Sequence, residues 1–360
     1  MTSAAAAAST TMIAMKRAWM IGAVAALVAG LAGPAHAAER PWRTTDAPPG
    51  LWPESGLTDV TAPGPQDIWA AGFEGHSCVD WSWPGMGAGS VCSSNAIVRE
   101  WNGSSWLNRN PPGAWNLEIQ DIDASAPGNV WLSGSKTGQG YLARWDGSRW
   151  TQVPLPESCK TATYLQLEAV DGGVWAVNGC LAHWQNGAWT TYDIDAFIHR
   201  IHAVSDTELW ADGSRLGPYG PAMARWDGSQ WSEPDVPDGY TDLLTAGPSG
   251  VLLSGPGKTD LMLRRGDTWT AIPKPPSAYL SYRIADDGSL WTGTDPTKPG
   301  ALFYRFDGDT WNSTPMPAQT GTGSRNRGGF DYTPVSTTPG AMVAAATTPG
   351  GGPLTMTNTP

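Results

Sequence analysis

The stretch YLARWDGSRW (141–150) carries the reading of the fold. An apolar run ends at Trp145, Asp146-Gly147 supplies turn residues, and Trp150 opens a second run. That is the pattern of two short antiparallel strands joined by a tight turn, where Asp-Gly tolerates positive φ. Working outward, the phrase returns as AIVREWNGSSW (96–106), CLAHWQNGAW (180–189), AMARWDGSQW (222–231), LMLRRGDTW (261–269) and ALFYRFDGDTW (301–311). The residue before the turn falls at Trp101, Trp145, Trp184, Trp226, Arg265 and Phe306, in steps of 44, 39, 42, 39 and 41.

A second phrase precedes each copy: DIWAAG (67–72), NVWLSG (129–134), GVWAVNG (173–179), ELWADG (208–213), GVLLSG (250–255) and SLWTG (289–293). Further upstream lies a short alternation such as Asp121-Ile122-Asp123-Ala124. Four short strands in about 40 residues make one propeller blade. Pro follows the second Trp at Pro154, Pro234, Pro273 and Pro315, which suits an outer edge strand that must not recruit another chain. After residue 37 no long apolar pattern has helical period, so a helical solenoid is excluded.

Six units are complete, and the chain ends supply a seventh. Residues 333–358 offer three strands, and residues 40–49 read as a lone outer strand with Trp42 in the place of Trp150. The expected fold is an all-β, seven-bladed β-propeller with four antiparallel strands per blade, the last blade closed by both termini. The phrases resemble the blades of secreted β-propeller repeat proteins common in actinobacteria, with their W-[DN]-G-x-x-W-T pattern. The resemblance spans nearly the whole chain after residue 37 and implies the architecture, of galactose-oxidase and WD40 type, more than a function. Kelch repeats want a Gly-Gly that only Gly172-Gly173 imitates. In WD40 blades Trp-Asp closes a strand, whereas Trp145-Asp146 here leads into a turn.

Lys16-Arg17, the apolar run 18–32 and Ala35-His36-Ala37 read as a signal peptide over residues 1–37, with Met15 a candidate true start. Residues 38–360 are then a single exported domain, expected to be extracellular, monomeric and without a membrane span. Lys plus Arg number 22 against 33 Asp plus Glu, a net charge of −11. That balance argues against nucleic acid and anionic membranes, which need clustered basic residues. Cys78, Cys92, Cys159 and Cys180 suggest two disulfides, and position favours Cys78–Cys92 and Cys159–Cys180. No C-x-x-C pair, nucleophile elbow or phosphate loop is present, so no metal and no cofactor is expected.

The strand order puts B–C and D–A connections on one face, including 72–95, 107–117 and 154–164, all read as loops. Of 21 Trp, one is in the leader and 16 occupy blade positions. The other four, Trp52, Trp81, Trp83 and Trp115, fall in connections around blade 1. Flat exposed rings there suit sugars or apolar ligands, with Asp80, His76 and Glu74 as polar partners. The competing reading is a gasket, with the four rings packed onto the blade tops. Asp59, Asp121, Asp123, Glu168, Arg200, His202 and Arg283 should face the channel. Spacing i, i+3 sets His199 and His202 on opposite faces of a strand. The sequence therefore favours a secreted, non-catalytic binding protein for a glycan or an extracellular protein. The alternative is a polysaccharide hydrolase or lyase using Asp121, Asp123 and Glu168.

Overall fold

Seven four-stranded antiparallel sheets surround a channel in the computed structural model, which describes residues 40–45, 52, 54–85, 87–160, 162, 164–217, 220–317, 330–347 and 353–359. The leader read over residues 1–37 lies outside them. Blade 2 shows the pattern: strands Leu117–Ala126, Asn129–Lys136, Gln139–Trp145 and Trp150–Gln152, each paired with the next. Strands are named A to D from the channel outward.

Blade 7 takes Phe330–Pro334, Met342–Thr347 and Pro353–Thr357 from the C-terminal segment, and its outer strand, Arg43–Thr45, from the N-terminal one. Its strand A thus starts three residues before the segment read from sequence. Trp42 stacks on Phe303 of blade 6 with ring centroids 4.0 Å apart. The same cluster holds Trp291, Tyr332 and Met356, so the N-terminal strand closes the apolar seam between blades 6 and 7.

Repeated indole hydrogen bonds explain the tryptophans. In strand B the indole N–H reaches the side chain two residues earlier: Trp69 to Asp67, Trp131 to Asn129, Trp210 to Glu208 and Trp291 to Ser289, at 2.8–3.0 Å. In strand D it reaches back to the preceding blade: Trp150 to the Arg109 carbonyl, Trp189 to Pro154 and Trp311 to Pro273. In these copies a large ring fills the inter-blade wedge while its one polar atom is satisfied; the buried indole N–H groups of Trp42, Trp106, Trp175 and Trp231 have no hydrogen-bond partner among the described residues. Arg144, Arg225 and Arg305 lie over strand B indoles, and His183 takes that place in blade 3, stacked on Trp175 at 4.3 Å. His183 is structural.

The C–D turns correct one expectation. Asp146 does not adopt positive φ; its Oδ1 accepts the backbone N–H groups of Ser148 and Arg149, each at 2.9 Å, while Gly147 turns with φ 92°. Asn102 and Asp227 do the same. Asn186-Gly187 alone among these pairs places both residues at positive φ, with a two-residue turn between Gln185 and Ala188. The Asp or Asn of the blade phrase is mostly an acceptor that caps a four-residue turn.

Candidate functional site

Blade 1 departs from its siblings between strands B and C. Residues 72–95, expected as a loop, are a long antiparallel ribbon: strand B runs Asp67–Trp83 and strand C runs Gly87–Trp101. Cys78 and Cys92 face each other directly across it and are disulfide-bonded, with Cα atoms 4.0 Å apart. The second disulfide joins Cys159, in the connection after blade 2, to Cys180 of blade 3.

In an extended strand alternate side chains share a face. Val79, Trp81 and Trp83 therefore form one stripe, and they are 69%, 41% and 62% exposed. Trp81 lies across Gly89 opposite it, where a Cβ would come within 2.7 Å of the ring. Trp52 and Trp115 are 53% and 65% exposed and flank the base of the ribbon. Trp52 Cβ sits against Gly75, while Ala114 and Asn116, on either side of Trp115, hydrogen-bond to Ala96 and Asn95. Gly75, beside Trp52 at the base, precedes Trp81 by six positions along strand B, roughly 20 Å if fully extended. All four rings are exposed, where a gasket would bury them.

The polar partners divide. Asp80 is exposed on the ribbon, whereas Glu74 and His76 are buried beneath it. His76 Nε2 lies 3.4 Å from Cys78 Sγ, so His76 braces the disulfide at the ribbon base. His76, Cys78 and Cys92 are the three metal-type donors that cluster within 4.8 Å among the described residues. With both sulfurs in a disulfide they do not form a metal site.

The channel is a cavity of about 850 Å³ lined by strand A of every blade. Residues opposite the strand B tryptophan position form one ring: Thr61, Asp123, Glu168, His202, Thr245, Arg283 and Thr333. Asp59, Asp121, Gln166, Arg200 and Asp331 stand two residues nearer the loop-rich face. His199 corrects the spacing argument. It is a bulge residue, skipped between Ile198 and Arg200 in the register, so both His199 and His202 line the channel. Bulges recur at Thr58 and Gln120, immediately before Asp59 and Asp121.

The channel carboxylates stitch blades together. Asp59 accepts the backbone N–H of Ile122, Asp121 that of Leu167, Asp123 that of Ala169 and Glu168 that of Ala203, at 2.5–2.7 Å. Each bond crosses to the inner strand of the next blade, whose channel-side N–H groups have no further strand to pair with. Burial pushes all four acids upward, Asp121 to about 7 and Asp59 and Glu168 well above the usual range. Burial also holds the His202 imidazole down to about 3, so it stays neutral.

No protein-family model matches the chain, and no curated protein does. No helix among the described residues is long and apolar enough to cross a membrane. Similar solved structures include a streptogramin B lyase, 12% identical with a TM-score of 0.57, matched over 88% of this chain and 96% of that one. YCF48 bound to a D1 peptide is 11% identical with a TM-score of 0.54, over 88% and 96%. The β-propeller domain of the Trilobed protease from Pyrococcus furiosus is 9% identical with a TM-score of 0.53, over 83% and 91%. At these identities the likeness is one of fold, and the chain is a seven-bladed β-propeller.

Proposed function

We propose that the chain is an exported, non-catalytic binding module that holds a glycan, or a segment of an extracellular protein, against the tryptophans of blade 1. The observation that carries this reading is the Val79-Trp81-Trp83 stripe, exposed along one face of a disulfide-braced ribbon. Flat rings on a rigid element lose little entropy on binding, and the exposed carboxylate of Asp80 lies on the same ribbon, on the face opposite the rings. Two disulfides suit an oxidising compartment. The peptide in the YCF48 structure is the reason to keep a protein segment among the ligands.

The hydrolase reading draws on Asp121, whose pKa near 7 suits a general acid. Against it, Asp121, Asp123 and Glu168 each commit an oxygen to an inter-blade N–H, and Asp121 touches Asp59 through a hydrogen bond. Glycosidase pairs stand ~5–9.5 Å apart with substrate between them. A glycan array and polysaccharide pull-down, scored together for retention and released sugar, test the proposal. Retention without release supports it; released sugar transfers the function to the channel.

A further inference from the structure

The ribbon of blade 1 has an open side. Strand A accompanies strand B as far as Gly56, opposite Phe73, and the His76 N–H still reaches the Glu54 carbonyl at 3.5 Å. Over residues 77–83, strand B pairs with strand C alone among the described residues. Strand parity fixes where its backbone points. Opposed residues of an antiparallel pair alternate between wide positions that exchange both hydrogen bonds and narrow ones that exchange none, about 5.5 and 4.5 Å between Cα atoms. Cys78 and Cys92, 4.0 Å apart, hold a narrow position. Strand C agrees: the Val98 carbonyl accepts from Arg109 and the Ala96 N–H donates to Ala114, so both turn away from strand B, and Cys92 shares their parity. Asp80 opposite Ser90, and Ser82 opposite Ala88, follow by two-residue steps. The N–H and C=O groups of Cys78, Asp80 and Ser82 therefore point out of the open edge of the sheet.

Such an edge is ordinarily blunted by lysine, proline or an inward charge. Residues 77–83 contain no lysine and no proline, and their one charge is Asp80. Val79, Trp81 and Trp83, on the other face, hold the wide positions toward strand C. Toward a strand added on the open edge they become the narrow positions, where cross-strand side chains approach most closely.

We infer that this edge captures an extended basic segment of another protein as an added antiparallel strand, apolar at alternate positions with lysine or arginine between them. Its main chain bonds to Cys78, Asp80 and Ser82, its apolar residues pack beside Val79, Trp81 and Trp83, and a cation meets Asp80. Antiparallel pairing continues what strand A does on the same edge. The segment occupies the stripe proposed above as the ligand surface, so its capture rests on that reading. The disulfide holds the ribbon in strand form beforehand, which limits the ordering cost of binding. A second copy of the chain suits the edge less, because a net charge of −11 repels its like and the copy brings another Asp80 in place of a cation.

Fluorescence anisotropy with the full chain and labelled acetyl-Thr-Val-Lys-Val-Lys-Val-Thr-amide tests this at constant ionic strength. The peptide should bind. In the antiparallel register its lysine N–H groups face strand B and its valine N–H groups face solvent. N-methylation at both lysines should therefore weaken binding about tenfold or more, and N-methylation at two valines should not. Glutamate in place of both lysines should weaken it several-fold, and Asp80→Lys should reverse that preference. Ser82→Pro removes one outward donor and should also weaken it. Amide exchange should slow on binding at Cys78, Asp80 and Ser82. The Trp81→Ala, Trp83→Ala double variant reports on the stripe separately: binding lost there but equal for the two methylated peptides leaves the stripe standing and overturns the edge pairing. Absence of peptide binding, retention of a glycan without the peptide, or self-association of the chain that Ser82→Pro abolishes would overturn it as well.

Discussion

The Glu168 carboxylate accepts the backbone N–H of Ala203 at 2.7 Å, across the gap between blades 3 and 4. Asp59, Asp121 and Asp123 make the same bond from blades 1 and 2. An acid that looks catalytic in a list of channel residues is here an acceptor for an N–H that the sheet leaves unpaired. Glu168→Ala strands the Ala203 N–H and should cost roughly 1–3 kcal/mol in thermal unfolding. Glu168→Gln keeps an acceptor oxygen and should cost much less. Equal losses for the two would deny the bond its role.

These acids also set the pH dependence. A carboxyl whose pKa is raised in the folded state keeps a proton that the unfolded chain has lost above pH ~4. Folding is therefore favoured at acid pH and loses stability as pH rises through the folded value, about 7 for Asp121. Tm should be higher at pH 5 than at pH 8, and Asp121→Asn should flatten the difference. A Tm that rises steadily from pH 5 to 8 would contradict the shift.

Closure by the N-terminal strand predicts a stability cost far from any ligand. Trp42→Ala removes a ring stacked on Phe303 and should cost about 3 kcal/mol, the low end for large aromatic truncations. Deleting residues 38–48 removes strand Arg43–Thr45 from blade 7 and should cost more. Denaturant melts that match the parent chain would show that the ring does not need its terminal strand.

The blade number, the strand order and both disulfide pairings were legible in the sequence because each depends on local punctuation repeated every 40 residues or so. The ribbon of blade 1 was not. Its Gly and Ser content imitates a loop, although Val79, Trp81 and Trp83 already alternate as a strand does. The bulge at His199 was hidden too, because fixed strand parity cannot see one inserted residue. The stitching of Asp123 to Ala169 joins residues that meet only when two blades sit side by side. Local pattern writes the blades; contacts between blades decide what their acids do.

The two disulfides should separate in their effects. Cys78–Cys92 joins opposed strands of a projecting ribbon, so Cys78→Ser with Cys92→Ser should loosen the ribbon and weaken ligand retention with little change in Tm. Cys159 is fully buried, and Cys159–Cys180 ties the connection after blade 2 to blade 3. Replacing that pair should lower stability by ~2–4 kcal/mol. Hydrogen exchange at residues 77–83 alongside melting curves distinguishes the two.

The central claim is that the exposed ring stripe of blade 1 is the ligand surface. Its most direct test is the double variant Trp81→Ala, Trp83→Ala, compared with the parent chain for retention of a glycan or peptide hit and for Tm. Both rings are largely solvent-exposed, so the account predicts lost retention, by a factor of ten or more from two removed stacking contacts of roughly 1 kcal/mol each, with Tm nearly unchanged. A fall in Tm with retention intact would make the stripe a packing element and contradict the account.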